Sequence, residues 1–361
     1  MSRALRLLVV DDSALVRRTV TRLLEEDPAL RVVGTAADGE EALREADRLR
    51  PDVVTLDVAM PVMDGLACLA ELVRRFRQRV VLLSTLAREG SFTTYKALAL
   101  GAVDFVVKPG ADGGGPPLAA LGVELRRKVW AAASVPTIRV GSLPPREPAP
   151  YPAPAKASTA PNAGTSPLRG GVVVGGSTGG TVALEALLSG LPRTFPAAVL
   201  AVQHLPPGFS TGFARYLDSV SGIPVKEGEE GEPVRAACAY IAPGGRHLRV
   251  QPTRSGMVLR LDGTSADGDG YRPSIDALFC SSAVAWRDRA VGVLLSGMGR
   301  DGVAGMAAVR KLGGRTLAQD ESSSVVYGMA GRAVERGAVE AVVPLGGLSI
   351  AVRRAALGGA S

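Results

Sequence analysis

Between Ala133 and Leu168 this 361-residue chain carries nine prolines in 36 residues, including Pro144-Pro145 and the alternation Pro148, Pro150, Pro152, Pro154. Proline fixes φ and donates no backbone hydrogen bond, so the run cannot join a helix or a sheet ladder and should stay extended and solvated. It constrains the fold more than any other feature, because the segments on either side must each bury a core of their own. The expected division is a first unit over 1–125, a Pro/Ala-rich linker over 126–168 and a second unit over 169–357.

Both flanking units alternate short β-branched runs with amphipathic stretches. In the first, Leu5–Val10, Val53–Leu56, Val80–Leu83 and Val103–Val107 read as buried strands. Helical patterns lie between them at Ala14–Glu26, Glu40–Arg50, Leu66–Arg75 and Thr93–Leu100. The second unit repeats the strand signature at Gly171–Val174, Ala198–Val202, Ala239–Ile241 and Val291–Leu295, with helices at Val182–Leu188 and Val303–Lys311. Buried strands separated by helices imply βαβ units and parallel sheets, hence two α/β units.

Composition excludes several chemistries. The chain has three cysteines (Cys68, Cys238, Cys280) and two histidines (His204, His247), none at paired spacing, so zinc motifs of the C-x-x-C or H-E-x-x-H kind are absent and no disulfide framework is expected. The N-terminal apolar run is too short for a signal peptide, and no apolar stretch reaches the ~18–20 residues of a membrane span. A soluble cytoplasmic protein without membrane insertion is expected. Much of the formal charge of +7 sits in residues 126–168, with six Lys/Arg against one Asp/Glu. The basic residues are dispersed among few aromatics, which suits a solvated linker and argues against nucleic-acid binding.

Ligands of open parallel sheets bind at the carboxyl ends of strands. In the first unit those ends carry Asp11-Asp12, Asp57, Ser84-Thr85 and Lys108-Pro109. Three carboxylates together call for a cation, and oxygen ligands suit Mg²⁺. A lysine and a hydroxyl beside it would suit a phosphoryl group. Asp12 could instead be a helix N-cap, but five suitable residues on four strand ends favour a site. The stretches Val9–Ser13, Leu56–Gly65 and Phe105–Pro109 resemble the receiver domain of two-component response regulators, a flavodoxin-like doubly wound fold. That resemblance implies Asp57 as phosphoacceptor and Asp11, Asp12 and Asp57 at the Mg²⁺. It also implies Ser84 as switch hydroxyl, Phe105 as switch aromatic and Lys108 as phosphoryl contact.

In the second unit, Val172–Gly180 runs from strand to helix through a glycine-rich turn containing Gly175-x-Ser177-x-Gly179. That pattern exposes a serine hydroxyl, and the following N–H, that of Thr178, can donate to an oxyanion at a helix N-terminus. A chance match and a nucleotide phosphate loop are the competing readings, the second weakened by the missing Walker lysine and G-x-G-x-x-G spacing. A serine needs a base. His204, directly after the next strand, is favoured over His247, which lies in the β-like region Tyr240–Val250 and would be structural or shape the substrate pocket. The third member should be a carboxylate: Asp301, after another strand and glycine loop, or more weakly Asp276 or Asp320.

These residues closely resemble the catalytic domain of the chemotaxis protein-glutamate methylesterase/glutaminase family. The matching stretches are Gly175–Gly180, Gln203–Phe209, Ile241–His247, Tyr271–Asp276 and Gly297–Gly302, and a receiver ahead of this domain is that family's architecture. The resemblance implies a second α/β domain with a mostly parallel sheet and Ser177, His204 and Asp301 as its triad, without a cofactor of its own. It implies hydrolysis of glutamyl methyl esters, and deamidation of glutamines, on the cytoplasmic helices of methylated chemoreceptors. A histidine kinase would be the phosphodonor, the enzyme would act as a monomer, and phosphorylation of Asp57 would uncover a site that the first domain otherwise covers. Gly328-Met329-Ala330 departs from relatives that often carry proline after the methionine, and Ala59 stands where many have a polar residue. A DNA-binding regulator would need a helix-turn-helix after residue 168, and a non-enzymatic adaptor would lack one of the triad residues.

Overall fold

The computed structural model describes residues 3–84, 88–108, 117–136, 168–263 and 270–358, with the backbone alone over 88–92. The chain forms two compact units, one on each side of the proline-rich segment. Residues 137–167 of the expected linker, together with Thr85 and Pro109, lie outside the described residues.

In the first unit the elements run β1 (Leu5–Val10), α1 (Ala14–Glu25), β2 (Leu30–Ala36), α2 (Gly39–Leu49) and β3 (Val53–Asp57). They continue with α3 (Gly65–Phe76), β4 (Val80–Ser84), α4 (Arg88–Ala99), β5 (Asp104–Val107) and α5 (Leu118–Ser134). The sheet is parallel throughout, in the order β2-β1-β3-β4-β5. This is the flavodoxin-like doubly wound arrangement, whose strand order reverses between β1 and β3. β3, β4 and β5 are buried along their whole length, which is why each reads as a continuous apolar run instead of an alternation. The helices are capped as their sequences prescribe. Ser13, Asp38 and Asp64 each accept a backbone N–H at the start of α1, α2 and α3.

One boundary differs from expectation. The first unit does not end at residue 125, because α5 continues to Ser134. Leu121, Leu125, Val129 and Ala132 recur at helical spacing and are all buried, so the apolar stripe holding α5 on the sheet runs past 125. Residues 126–134 therefore belong to the first unit and not to the linker.

The second unit contains β6 (Gly171–Gly176), α6 (Gly180–Ser189), β7 (Ala198–Gln203), α7 (Ser210–Val220), β8 (Val225–Glu227) and β9 (Ala239–Ile241). There follow β10 (His247–Thr253), β11 (Gly256–Asp262), α8 (Ile275–Trp286), β12 (Ala290–Leu294), α9 (Val303–Lys311) and β13 (Arg315–Gln319). The unit closes with α10 (Met329–Glu335), β14 (Ala341–Val343) and α11 (Leu348–Ala356). Its seven-stranded sheet has the order β14-β13-β12-β6-β7-β9-β8, with β10 and β11 forming a separate antiparallel hairpin. The strand pairs of the large sheet are parallel. The order reverses at β6, with β12 on one side and β7 on the other.

α8 lies directly on β6, and two glycines make this possible. A Cβ at Gly171 would collide with the ring of Trp286 at the end of α8, and one at Gly175 with Ile275 at its start. The helix thus runs back along the strand, and its N-terminus arrives at the strand's carboxyl end. Ile275, Leu278, Phe279, Ala283 and Trp286 pack with Val173, Leu200, Tyr240, Leu248, Leu294 and Met306 in the core. Each of these large side chains contributes on the order of 1.5–3 kcal/mol on leaving water.

Candidate active site

Three neighbouring strands deliver the residues of the second unit's site to one sheet edge. β6 and β7 are in register with Gly176 opposite Gln203, so the next residues, Ser177 and His204, emerge side by side. The His204 N–H donates to the Gly176 carbonyl at 3.1 Å and holds that adjacency. Asp301 comes from the loop after β12, across the point where the strand order reverses, where open α/β sheets bind ligands.

His204 Nε2 and Asp301 Oδ2 are 2.8 Å apart, and both side chains are almost fully buried. An ionised carboxylate can only accept, so Nε2 carries the proton and Nδ1 holds the basic lone pair. Nδ1 is buried and makes no hydrogen bond among the described residues. Asp301 itself sits on the N-terminus of α8. It accepts from Ile275 N at 2.8 Å, Asp276 N at 2.9 Å and the Ser274 hydroxyl at 3.0 Å. Burial pushes this carboxyl up, but the His204 hydrogen bond and charge, with the two backbone donors, outweigh it and hold Asp301 below the usual carboxylate range.

The serine turn is held from several sides. Ser177 N donates to the Ser296 carbonyl at 3.1 Å, and Gln203 Nε2 donates to the Ser177 carbonyl at 2.7 Å. The Ser296 hydroxyl donates to the Thr178 carbonyl at 2.7 Å. Gly179 adopts φ +77°, a conformation glycine reaches without penalty, and opens the turn into α6. Ser177 and Thr178 are both buried.

The remaining candidates separate cleanly. His247 is buried, and its Nδ1 accepts the Ser274 N–H at 3.2 Å at the start of α8. Asp276 accepts the Gly305 N–H of α9 at 2.6 Å. Asp320 is bound to the hydroxyls of Ser322 and Ser323 in its own turn. Two features of the site were not read from sequence. One is the support from Ser274, which its N-cap position before Ile275-Asp276 could have signalled. The other is Tyr271, whose ring stacks on that of His204.

In the first unit, β1 and β3 bring Asp11, Asp12 and Asp57 together, each offering a carboxylate oxygen within 4.8 Å of the others. Lys108 Nζ reaches Asp11 Oδ2 at 3.0 Å and Asp57 Oδ2 at 2.9 Å. Burial and the neighbouring Asp11 charge push the Asp57 carboxyl above its usual range despite Lys108. Burial alone would lower Lys108, but its bonds to Asp57 and Asp11 raise it, so it stays a cation. An all-oxygen donor set with a fixed ammonium fits a Mg²⁺ ion and a phosphoryl group. Ser84 Oγ lies 2.6 Å from Thr94 Oγ1 of α4. Phe105 is buried, with Lys128 Nζ 4.9 Å from its ring centroid.

Residues 172–352 match the family model for the CheB methylesterase, and residues 7–113 that for the response regulator receiver domain. The chain is 43% identical over 360 residues to a protein-glutamate methylesterase/protein-glutamine glutaminase of Symbiobacterium thermophilum, with 98% of each chain covered. A protein of the same name from Pyrococcus horikoshii is 39% identical over 355 residues, covering 96% of this chain and 92% of that one. The crystal structure of the Thermotoga maritima CheB methylesterase catalytic domain aligns with a TM-score of 0.50 at 36% identity, covering 51% of this chain and 97% of that domain.

Proposed function

The chain belongs to the protein-glutamate methylesterase/glutaminase family, a receiver domain followed by a CheB methylesterase domain, and on that footing we propose that Ser177, His204 and Asp301 hydrolyse glutamyl γ-methyl esters of chemoreceptor helices. The observation that carries the reading is the buried His204 Nε2–Asp301 Oδ2 hydrogen bond, at the sheet edge to which the β6–β7 register also brings Ser177. It leaves Nδ1 as the proton acceptor, the reverse of the nitrogen use in the chymotrypsin-type triad.

His204 Nδ1 takes the proton as Ser177 Oγ attacks the ester carbonyl, and the Thr178 N–H donates to the oxyanion. Asp301 stabilises the imidazolium. Methanol leaves with the proton from His204, and a water activated by the same nitrogen cleaves the acyl-enzyme. With ammonia as leaving group the same steps deamidate glutamine. Ser177→Ala is expected to lower kcat by about 10³–10⁶, read as methanol release from a methylated receptor fragment. Near-normal release by that variant would overturn the assignment.

In the receiver, Asp57 would accept the phosphoryl group from a histidine kinase. Asp11, Asp12 and Asp57 would hold Mg²⁺, which when bound neutralises charge on that group, and Lys108 would contact its oxygens. Phosphorylation biases the receiver between two states, and Ser84 and Phe105 are its switch residues. The outcome is a higher esterase rate.

A further inference from the structure

We propose that Tyr271 is a positioning residue for the general base, an inference that rests on the triad reading above. Asp301 restrains His204 at one point, the Nε2–Oδ2 hydrogen bond. A single hydrogen bond fixes one atom of a ring and leaves its plane free to tilt about that contact. Tilting would change the direction of Nδ1, the nitrogen that the proposed mechanism uses as the base. Tyr271 removes this freedom. Its ring lies face to face with the imidazole, with centroids 4.1 Å apart and planes within 7°, inside the range of favourable aromatic pairs.

The tyrosine is itself held in place by the segment that holds Asp301. The carbonyl of the adjacent Arg272 accepts the Gly245 N–H at 3.2 Å. Three residues after Tyr271, the Ser274 hydroxyl donates to Asp301 while the Ser274 N–H donates to His247. Residues 271–276 therefore set the plane of the base and the position of its carboxylate together. The stack adds no group to the reacting atoms, so its loss acts on kcat through geometry and leaves substrate binding largely intact.

The test uses the full-length protein without a histidine tag, carrying Tyr271→Leu or Tyr271→Phe. Methanol release gives kcat and KM, and the imidazole C–H signals give a structural readout. His204 and His247 are the chain's two histidines, so each is resolved. Tyr271→Leu is expected to lower kcat by about 10–100-fold with KM nearly unchanged, and to move the His204 signals downfield as the ring current is lost. The His247 signals should stay in place. Tyr271→Phe keeps the stack and should recover most of kcat and the wild-type His204 shifts.

A Leu variant with wild-type kcat, a Phe variant as impaired as Leu, or a change carried by KM overturns the proposal. So does movement of the His247 signals, which would make Tyr271 a general support of the fold. Ser177→Ala in the same assay separates the two claims. If it stays active the triad itself fails, whereas if it is inactive while Tyr271→Leu keeps its kcat, the positioning role alone falls.

Discussion

Ser177 owes its position to residues that are far from it in sequence. A Cβ at Gly297, in the loop after β12, would lie 2.8 Å from the Ser177 Cβ and would also collide with Met329. Met329 can bend away, but the serine backbone is pinned by Ser296 and Gln203. Gly297→Ala should therefore shift the nucleophile and lower kcat by about 10²-fold, with folding checked by an unchanged far-ultraviolet spectrum. Asp301→Asn is expected to cost about 10⁴ in kcat, because an amide cannot fix the Nε2–H tautomer. Its stability effect depends on pH. Asp301 is held below its ordinary 3.8, so its contribution is complete above that pH and disappears as pH falls through the lower folded value. Urea melts of wild type and variant should differ most above pH 3.8, with the difference shrinking as pH falls from there and gone below the lowered folded value. Ser177, His204 and Asp301 can be nominated from the sequence because a glycine-framed serine and a two-histidine count leave few alternatives. Gly297, Ser296 and Gln203 were not, because their roles exist once three strands lie side by side.

α8 shows how one element can serve both packing and chemistry. Its N-terminus presents backbone donors to Asp301, and His247 holds that terminus by accepting the Ser274 N–H. Replacing His247 by Leu strands a buried donor and should cost about 1–3 kcal/mol, seen as a lower unfolding midpoint. His247→Asn retains an acceptor and should recover part of this loss. Both variants should keep far more activity than His204→Ala, and equal loss at the two histidines would contradict the division of roles. Element positions were read well where the pattern was unambiguous: β1, β9 and α9 have the expected limits. β2 lacks the continuous apolar run of its neighbours because it is a partly exposed edge strand. α8 carries no one-sided stripe in its sequence, because Ile275-Asp-Ala-Leu-Phe-Cys is apolar on more than one side, as befits a helix buried between sheet and hairpin.

At the scale of the whole molecule, two units share one chain, and the proposed link between them is testable as a rate. Esterase activity measured with and without a small phosphodonor and Mg²⁺ should rise on phosphorylation, and the increment should vanish in Asp57→Asn. An unchanged rate in protein shown to carry the phosphate would refute the coupling. No helix among the described residues is long and apolar enough to cross a membrane. From the sequence alone come the two α/β units, the carboxylates gathered at strand ends of the first, and the candidates Ser177, His204 and Asp301 in the second. These follow from proline chemistry, apolar periodicity and scarce residue types, all of which are local. The end of α5, the pairing of His204 Nε2 with Asp301, and the contacts of residues 271–276 with both side chains come from the tertiary structure. Those depend on which strand lies beside which and on where one helix terminus points, and neither is written in any single stretch of the chain.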